Sequence, residues 1–582
     1  MNGAPDRPEE LAATAPPKRL LGTALLWLAP VTFLLLFYFF PMEEILRLSF
    51  GRDQVGAVSA FAHIFGSPSI RRIIGFTLSQ AALSTALTLL VGLPGAYLFG
   101  RYTFRGKAAL RALTGIPFVL PTLVVAAAFN ALMGPTGWLN LGLMRLLGAS
   151  QPPIGFTNTL AAILIAHVFY NTTIVLRMVG DFWSHLDPRI ESAARSLGAN
   201  RWQTLTQITL PLLSPAILTA ALLVFIFDFT SFGVVLVLGG PQFATLEVEI
   251  FRQTVSLFNL PVAAGLSVVQ LIFTLGLTIA YTRLAERSTQ PLPLQSRRVT
   301  QRRPTGARQR AMTIAISLLL LVLLVSPLLA LAGRSVVGLG GGRPGEVAPQ
   351  GLTLAFYRAL ADKPQSSLFY VAPTQAVRNS LRIASLTVLL ALVLGTPASW
   401  ALAYRRRSAL SRWIDPILML PLGTSAVTLG LGFILALDTP PLDLRTSPWL
   451  LPIAHTLVAL PFVVRSLTPA LRSIQPRLRQ AAAVLGAAPL AVIRYIDLPL
   501  VARALLVAAA FAFTISLGEF GATALLARPE QPTVPVVIYR FLSRPGGINF
   551  GQALALSTLL MVVTGAGMFA IERFRIADVG EF

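Results

Sequence analysis

Residues 187–211 read DPRIESAARSLGANRWQTLTQITLP, and residues 475–499 read QPRLRQAAAVLGAAPLAVIRYIDLP. A constant offset of 288 pairs Pro188-Arg189 with Pro476-Arg477, Ala193-Ala194 with Ala481-Ala482, and Leu197-Gly198-Ala199 with Leu485-Gly486-Ala487. The same offset pairs Ile208 and Leu210-Pro211 with Ile496 and Leu498-Pro499. It holds upstream, where Ile165-Ala166-His167 recurs as Ile453-Ala454-His455 and Arg177 as Arg465. Further upstream Gly92 and Pro94 correspond to Gly395 and Pro397 at a slightly longer spacing. Chance likeness between apolar helices explains shared leucines, but not an ungapped Gly-to-Pro register in two polar loops. The chain is an internal duplication.

Each loop predicts a short helix, a turn at Gly198 or Gly486, and a second helix ending near Pro211 or Pro499. Glycine suits a helix C-terminus because positive φ carries no Cβ penalty there. The paired alanines give a flat face on which another backbone can approach closely. Such an exposed helix–turn–helix can insert into a partner's groove.

Outward from the loops the chain is apolar. Of 582 residues 54% are hydrophobic and 12% charged, about half the charged share of a soluble domain. Leu20 to Phe40, Val262 to Thr282, Ala311 to Gly333, Ile383 to Tyr404 and Pro416 to Leu437 contain no Asp, Glu, Lys or Arg. Each reaches the ~20 residues that cross a bilayer as a helix. Twelve spans are expected: 20–41, 73–100, 112–133, 158–177, 212–238 and 262–283, then 311–333, 380–404, 414–437, 446–464, 504–527 and 549–571. The fold class is all-α and polytopic, with two parallel six-helix repeats around a central pathway. The divisions are a polar tail at 1–19, a first transmembrane domain at 20–284, a basic cytoplasmic linker at 285–311, and a second transmembrane domain at 312–582.

The formal charge of +23 comes almost entirely from arginine in short segments between apolar runs. Alternating from a cytoplasmic start puts Arg101 to Arg111, Arg283 to Arg310, Arg405 to Arg412 and Arg573 to Arg575 on the inner side, as the positive-inside rule requires. Both termini are then cytoplasmic, and the linker has the composition of a flexible segment held near anionic lipid headgroups. A nucleic-acid partner is not expected, because no soluble basic face can form. The run from Leu20 is too long for a signal-peptide core, so a retained first helix is expected. With no cysteine, disulfides and thiol chemistry are excluded.

The two loops resemble the EAA loops of bacterial binding-protein-dependent ABC importer permeases: Glu-Ala-Ala, three residues, Gly, nine residues, Ile, one residue, Leu-Pro. Ala193, Ala194, Gly198, Ile208, Leu210 and Pro211 fit that spacing, as do Ala481, Ala482, Gly486, Ile496, Leu498 and Pro499. The Glu position holds Ser192, beside Glu191, in the first copy and Gln480 in the second, so the family's ionic contact there is not carried over directly. The resemblance implies a fused double permease docked through these loops on two ABC ATPase subunits. It also implies a periplasmic or lipid-anchored substrate-binding protein on the outer side of a bacterial inner membrane. No cofactor is expected on this chain; ATP and Mg would be handled by the partner subunits. The nearest approach to a phosphate loop, GRYTFRGK at 100–107, has five residues between its glycines and Ala108 where Ser or Thr would hold Mg²⁺.

Polar residues inside spans mark candidate pathways, because hydrocarbon penalises them. Asp228 and Ser231 lie opposite Ser516 and Glu519 when Phe232-Gly233 is aligned with Phe520-Gly521. Two carboxylates facing one cavity would attract a cation; the alternative is that each pairs with a nearby Arg or caps an interhelical contact. His167 and His455 are expected as packed, hydrogen-bonded residues and not metal ligands, and no metal site is expected. Asn171 and Gln270 are candidates for helix–helix hydrogen bonds. AAILIAHVFYN at 161–171 and FTSFGVVLVLGGPQFATLEVEIF at 229–251, with Gly239-Gly240-Pro241 and Thr245-Leu246-Glu247, are similar to thiamine importer permeases. EFGATALLA at 519–527 is similar to iron, sulfate and molybdate permeases. The expected cargo is a cationic small solute, thiamine-like first and ferric iron second. The rival reading is an ion-driven secondary transporter with a six-plus-six repeat.

Overall fold

The structure is a computed structural model, and it describes residues 17–50, 66–288, 300–339, 350–361, 371–404, 409–438, 440 and 442–574. The arginines at 405–407, most of the tail at 1–19 and the linker core at 289–299 lie outside the described residues.

Twelve spans emerge when one bent pair is counted as a single crossing. In the first half they are α1 (Leu26–Phe50), α2 (Pro68–Arg101), α3 (Thr122–Leu147), α4 (Leu160–His185), α5 (Arg201–Phe229) and α6 (Leu260–Ala285). In the second half they are α7 (Ala307–Ser335), α8 (Pro373–Ala403), α9 (Ile414–Gly423 with Ala426–Ala436, bent by 100°), α10 (Leu450–Arg472), α11 (Leu490–Gly518) and α12 (Gly547–Ile571). The strand pair Val337–Leu339 and Gln350–Leu352 joins α7 to α8 as a small antiparallel ladder.

Helix α2 packs along α4, and α8 along α10, forming the spine of each half. Small residues permit this closeness, since without a hydrophobic drive between helices in lipid, packing decides. A Cβ at Gly92 would lie 2.7 Å from Val175 Cβ, and one at Gly395 would lie 2.6 Å from Val463 Cγ1. The matched glycines are therefore contact points of the two spines. The first helix of each half reaches across: α1 packs on α8 and α9, while α7 packs on α2, α3 and α12. This exchange ties the halves together.

Among the described residues three π-helical turns occur, at Leu35–Phe39, Leu205–Thr209 and Ile493–Asp497. Each ends two residues before a proline: Pro41, Pro211 and Pro499. A proline inside a helix lacks an N–H, and its ring collides with the carbonyl four residues back; a widened turn relieves that collision. The loop helices therefore do not end at Pro211 and Pro499, as the sequence suggested, but continue through the π turn into α5 and α11.

Other boundaries also differ from expectation. The fifth spans do not run unbroken over 212–238 and 504–527. They stop at Phe229 and Gly518, and separate short helices follow at Gly233–Leu238 and Gly521–Leu526. The expected 112–133 span is likewise two helices, Lys107–Val119 and Thr122–Met133, parted at Leu120-Pro121. Continuous apolarity hid these breaks, because a re-entrant backbone enclosed by protein is as apolar as a spanning one.

The described end of the linker is fixed in place. Arg302 donates its N–H to Arg101 O at 3.0 Å and accepts from Thr103 N at 3.0 Å, with its guanidinium 5.6 Å from the centre of the Tyr102 ring. Lys107 Nζ donates to Gln301 Oε1 at 3.0 Å. Residues 300–303 are thus docked on the end of α2, in contrast to the flexible linker read from composition.

Candidate functional site

The two loops are built alike. Pro188–Ser196 and Pro476–Val484 are nine-residue helices, each with proline at its start, where a missing N–H costs nothing. The first ends in a Schellman turn: Gly198 N donates to Arg195 O and Ala199 N to Ala194 O, both at 3.1 Å. In the second, Gly486 N donates to Ala483 O and Ala487 N to Ala482 O, both at 3.0 Å. Gly198 has φ +94° and Gly486 φ +81°, the left-handed region that favours glycine. Both turns leave a leucine in the open: Leu197 is 89% and Leu485 87% exposed. Trp202 and its repeat mate Leu490 are exposed as well. Apolar side chains clustered at two equivalent tips are what an interaction surface presents.

The missing Glu contact is replaced differently in each loop. Glu191 forms a salt bridge with Arg101 and accepts from Thr209 Oγ1 at 3.2 Å. The residues 288 positions on are Arg479 and Asp497, which pair at 2.6 Å between Nε and Oδ1. The link between loop helix and span base survives with the charge reversed. Asp497 is buried, so removing its partner strands a desolvated carboxylate. Arg479→Ala is expected to destabilise the protein by about 2 kcal/mol, discounted from the fully buried case because Arg479 is partly exposed. Thermal unfolding in detergent checks this, and Arg479→Ala with Asp497→Asn is expected to recover most of the loss.

The carboxylates expected to face a shared cavity are both buried, Asp228 in the first half and Glu519 in the second. Asp228 is buried inside the first half, where Asn171 Nδ2 donates to Oδ1 at 2.7 Å and His167 Nδ1 lies 3.3 Å from it. The other ring nitrogen of His167 hydrogen-bonds Ser231 Oγ at 2.8 Å. In the second half His455 hydrogen-bonds Ser516 Oγ and Thr523 Oγ1, both at 2.8 Å. Glu519 accepts from Ala522 N at 2.8 Å and Thr523 N at 3.0 Å, so it caps the short helix that follows the break. Buried hydrogen bonds hold these breaks in shape, although Asp228 Oδ2 and Asn171 Oδ1 have no hydrogen-bond partner among the described residues. The four candidates Asp228, Ser231, Ser516 and Glu519 are thus gathered as two separate clusters, one per half, each around a histidine.

What meets between the halves is aromatic. Phe232 and Phe520, the residues next to Ser231 and Glu519, stack with ring centres 5.3 Å apart and planes 18° apart. Phe251 stands 5.2 Å from Phe232, and its repeat mate Tyr539 5.5 Å from Phe520. The sequence used Phe232 and Phe520 only to align the repeats; their shared offset of 288 with Phe251 and Tyr539 was the available signal.

A third buried carboxylate bridges the halves. Glu247 Oε2 accepts from Ser425 Oγ at 2.6 Å, and its Oε1 accepts from Gln270 Nε2 at 2.7 Å. Ser425 also caps the second arm of the bent α9, accepting from Val427 N and Thr428 N. In sequence, Thr245-Leu246-Glu247 carries only its likeness to thiamine importer permeases; the link to Ser425, 178 residues away, leaves no local signal.

A twice-repeated bundle whose broken helices meet through Phe232 and Phe520, with two exposed helical loops, defines a membrane transport subunit. Residues 92–290 and 395–574 both match the family described as "Binding-protein-dependent transport system inner membrane component", and the chain belongs to that family. It is a fused ABC permease with both copies in one polypeptide, the family expected from the loops. This membership replaces the ion-driven secondary transporter as a reading. The chain is 27% identical to the "Probable ABC transporter permease protein y4fN" of Sinorhizobium fredii, covering 96% of this chain and 97% of that protein. It is 28% identical to the "Thiamine transport system permease protein ThiP" of Salmonella typhimurium, covering 87% and 89% respectively. Among solved structures it is similar to a bacterial ABC transporter involved in import of the acidic polysaccharide alginate, at 19% identity and a TM-score of 0.38, over 47% of this chain and 98% of that one.

Proposed function

We propose that this chain forms the translocation pathway of an ATP-driven importer, with the loops around Gly198 and Gly486 seated on two separate ATPase subunits. The observation that carries this reading is the pair of repeat-related glycine turns with exposed leucines at matching tips. Glu191, Ala193, Ala194 and Pro211, with Ala481, Ala482 and Pro499, shape those loops. ATP and Mg are bound and used by the partners, and no cofactor is assigned to this chain. The loops and both termini lie on the cytoplasmic side, with the 285–311 linker joining the two domains there. A substrate-binding protein delivers cargo to the opposite face.

The aromatic stack of Phe232 and Phe520 closes the path between the halves. Each aromatic contact contributes about 0.5–1.5 kcal/mol beyond its buried area. The three contacts together give about 1.5–4.5 kcal/mol, below the ~5.5 kcal/mol that converts a 1:99 population to 99:1. A closure of this strength can be opened by differential binding at the loops. The cargo is a small organic cation of the thiamine type, with ferric iron second. The thiamine permease relatives support this order, whereas Asp228 and Glu519 no longer do, since both are engaged inside their own halves.

Reconstitution with cognate ATPase subunits and binding protein in liposomes tests the reading. Uptake of labelled thiamine that requires all components and ATP is expected. Uptake by the lone chain, driven by an ion gradient, is the contrary result.

A further inference from the structure

A cavity of about 410 Å³ opens in the second half between the first turns of α8 and α10 and the segment after Leu526. It lies at the ends of α8 and α10 remote from the Gly486 loop, since α10 runs from Leu450 here to Arg472 just before that loop. Its rim carries Arg378, Arg382, Arg445 and Arg528, with Glu530 as the single acidic residue in the lining. Its floor is apolar, formed by Ile383, Leu386, Leu450, Leu451 and Leu526.

Two of these arginines are held. Arg445 Nη1 pairs with Asp438 Oδ2 at 2.6 Å, and Arg528 Nη2 donates to Arg445 O at 2.6 Å. Arg378 and Arg382 stand one turn apart on α8, where like charges repel. Among the described residues neither has a hydrogen-bond or ion-pair partner.

The shared fold does not require these charges. In the register of Gly92 and Gly395, Arg378 and Arg382 fall opposite Gly75 and Ser79 of the first half. In the register of His167 and His455, Arg445 and Arg528 fall opposite Thr157 and Gly240. The helix register is confirmed by matched contacts: Thr77 Oγ1 accepts from Leu246 N at 3.0 Å, and Ser380 Oγ from Val534 N at 2.9 Å. Four arginines thus line this cavity, none matched by an arginine at the aligned first-half position, where Arg71 and Arg72 instead lie one turn earlier on α2. The four also lie on the face opposite the densest basic loops, against the usual charge distribution of membrane proteins.

We propose that this pocket binds a phosphate-bearing anion, with an anionic phospholipid headgroup as its source. Guanidinium forks match phosphate oxygens in a bidentate manner. Further along α8, Leu389 and Val393 are 57% and 56% exposed, giving acyl chains an apolar surface on the same helix as the headgroup arginines. A free inorganic phosphate would gain nothing from that surface. This site is independent of the importer reading and of the cargo.

The test uses the full-length chain in phosphatidylcholine nanodiscs doped with phosphatidylglycerol, then released into detergent for native mass spectrometry. The wild type is expected to retain phosphatidylglycerol, and Arg378→Ala with Arg382→Ala to weaken that retention about tenfold. Arg378→Lys with Arg382→Lys, which keeps charge but loses the fork, is expected to fall between and guards against misfolding of the alanine variant. Titration with inorganic phosphate separates the sources. Arginine-dependent phosphate binding without lipid retention keeps the phosphate chemistry but overturns the lipid source. Equal retention of both ligands by wild type and variants overturns the proposal, and loss of binding only to an acidic protein partner does so in favour of protein docking.

Discussion

Gly198→Asp combined with Gly486→Asp is expected to leave the protein inserted and folded while abolishing ATP-driven uptake. Both glycines hold positive φ, a conformation costing other residues about 1–2 kcal/mol. A carboxylate there also meets the negative end of the loop helix, an unfavourable placement of about 0.3–1 kcal/mol. A Cβ at either position meets nothing within 4 Å, so the damage is confined to the turn and its exposed tip. The loss therefore falls on partner docking and not on bundle packing. Uptake and ATPase rates measured in proteoliposomes, beside a thermal melt, separate the two. The expected pattern is a melt lowered by only a few degrees, uptake at background, and ATP hydrolysis that no longer responds to cargo. One substituted loop alone is expected to give partial coupling, because the second is built on the same plan.

Phe232→Ala combined with Phe520→Ala is expected to open a leak. The two rings stack face to face where the halves meet, flanked by Phe251 and Tyr539. Truncating both removes the contact while leaving the histidine clusters that shape each break. Efflux of preloaded thiamine from proteoliposomes without ATP is expected to rise at least about tenfold, equivalent to ~1.4 kcal/mol of barrier. Accumulation with ATP falls because the gradient dissipates. Phe232→Leu with Phe520→Leu, which keeps apolar bulk, is expected to leak far less. Efflux equal to wild type would remove the stack from the role of closure.

Much of this architecture was legible in the residues. The spans follow from uncharged apolar runs, and the duplication from an offset that carries Gly198 onto Gly486 and Pro211 onto Pro499. The hydrogen-bonding roles of Asn171 and Gln270 followed from the cost of a lone amide in hydrocarbon. The breaks at Thr230 and Glu519 were hidden, because an enclosed re-entrant segment and a spanning helix share one composition. The burial of Asp228 and Glu519 was hidden for another reason. Whether a carboxylate faces a cavity or a neighbouring histidine depends on helix rotation, and the histidines lie 61 and 64 residues away in the chain. The ion pair of Arg479 and Asp497 was recoverable: at the positions matching Glu191 and Thr209 the second copy carries two opposite charges.

The absence of native cysteine allows the central claim to be read at single positions. Leu197→Cys and Leu485→Cys place one thiol on each tip, at sites now 89% and 87% exposed. Maleimide labelling is measured with and without the ATPase subunits bound. Both thiols are expected to react freely in the lone chain and to slow by about tenfold or more in the assembled transporter, as burial at an interface requires. Equal labelling rates in the two states, at both positions, would contradict the coupling role of the loops.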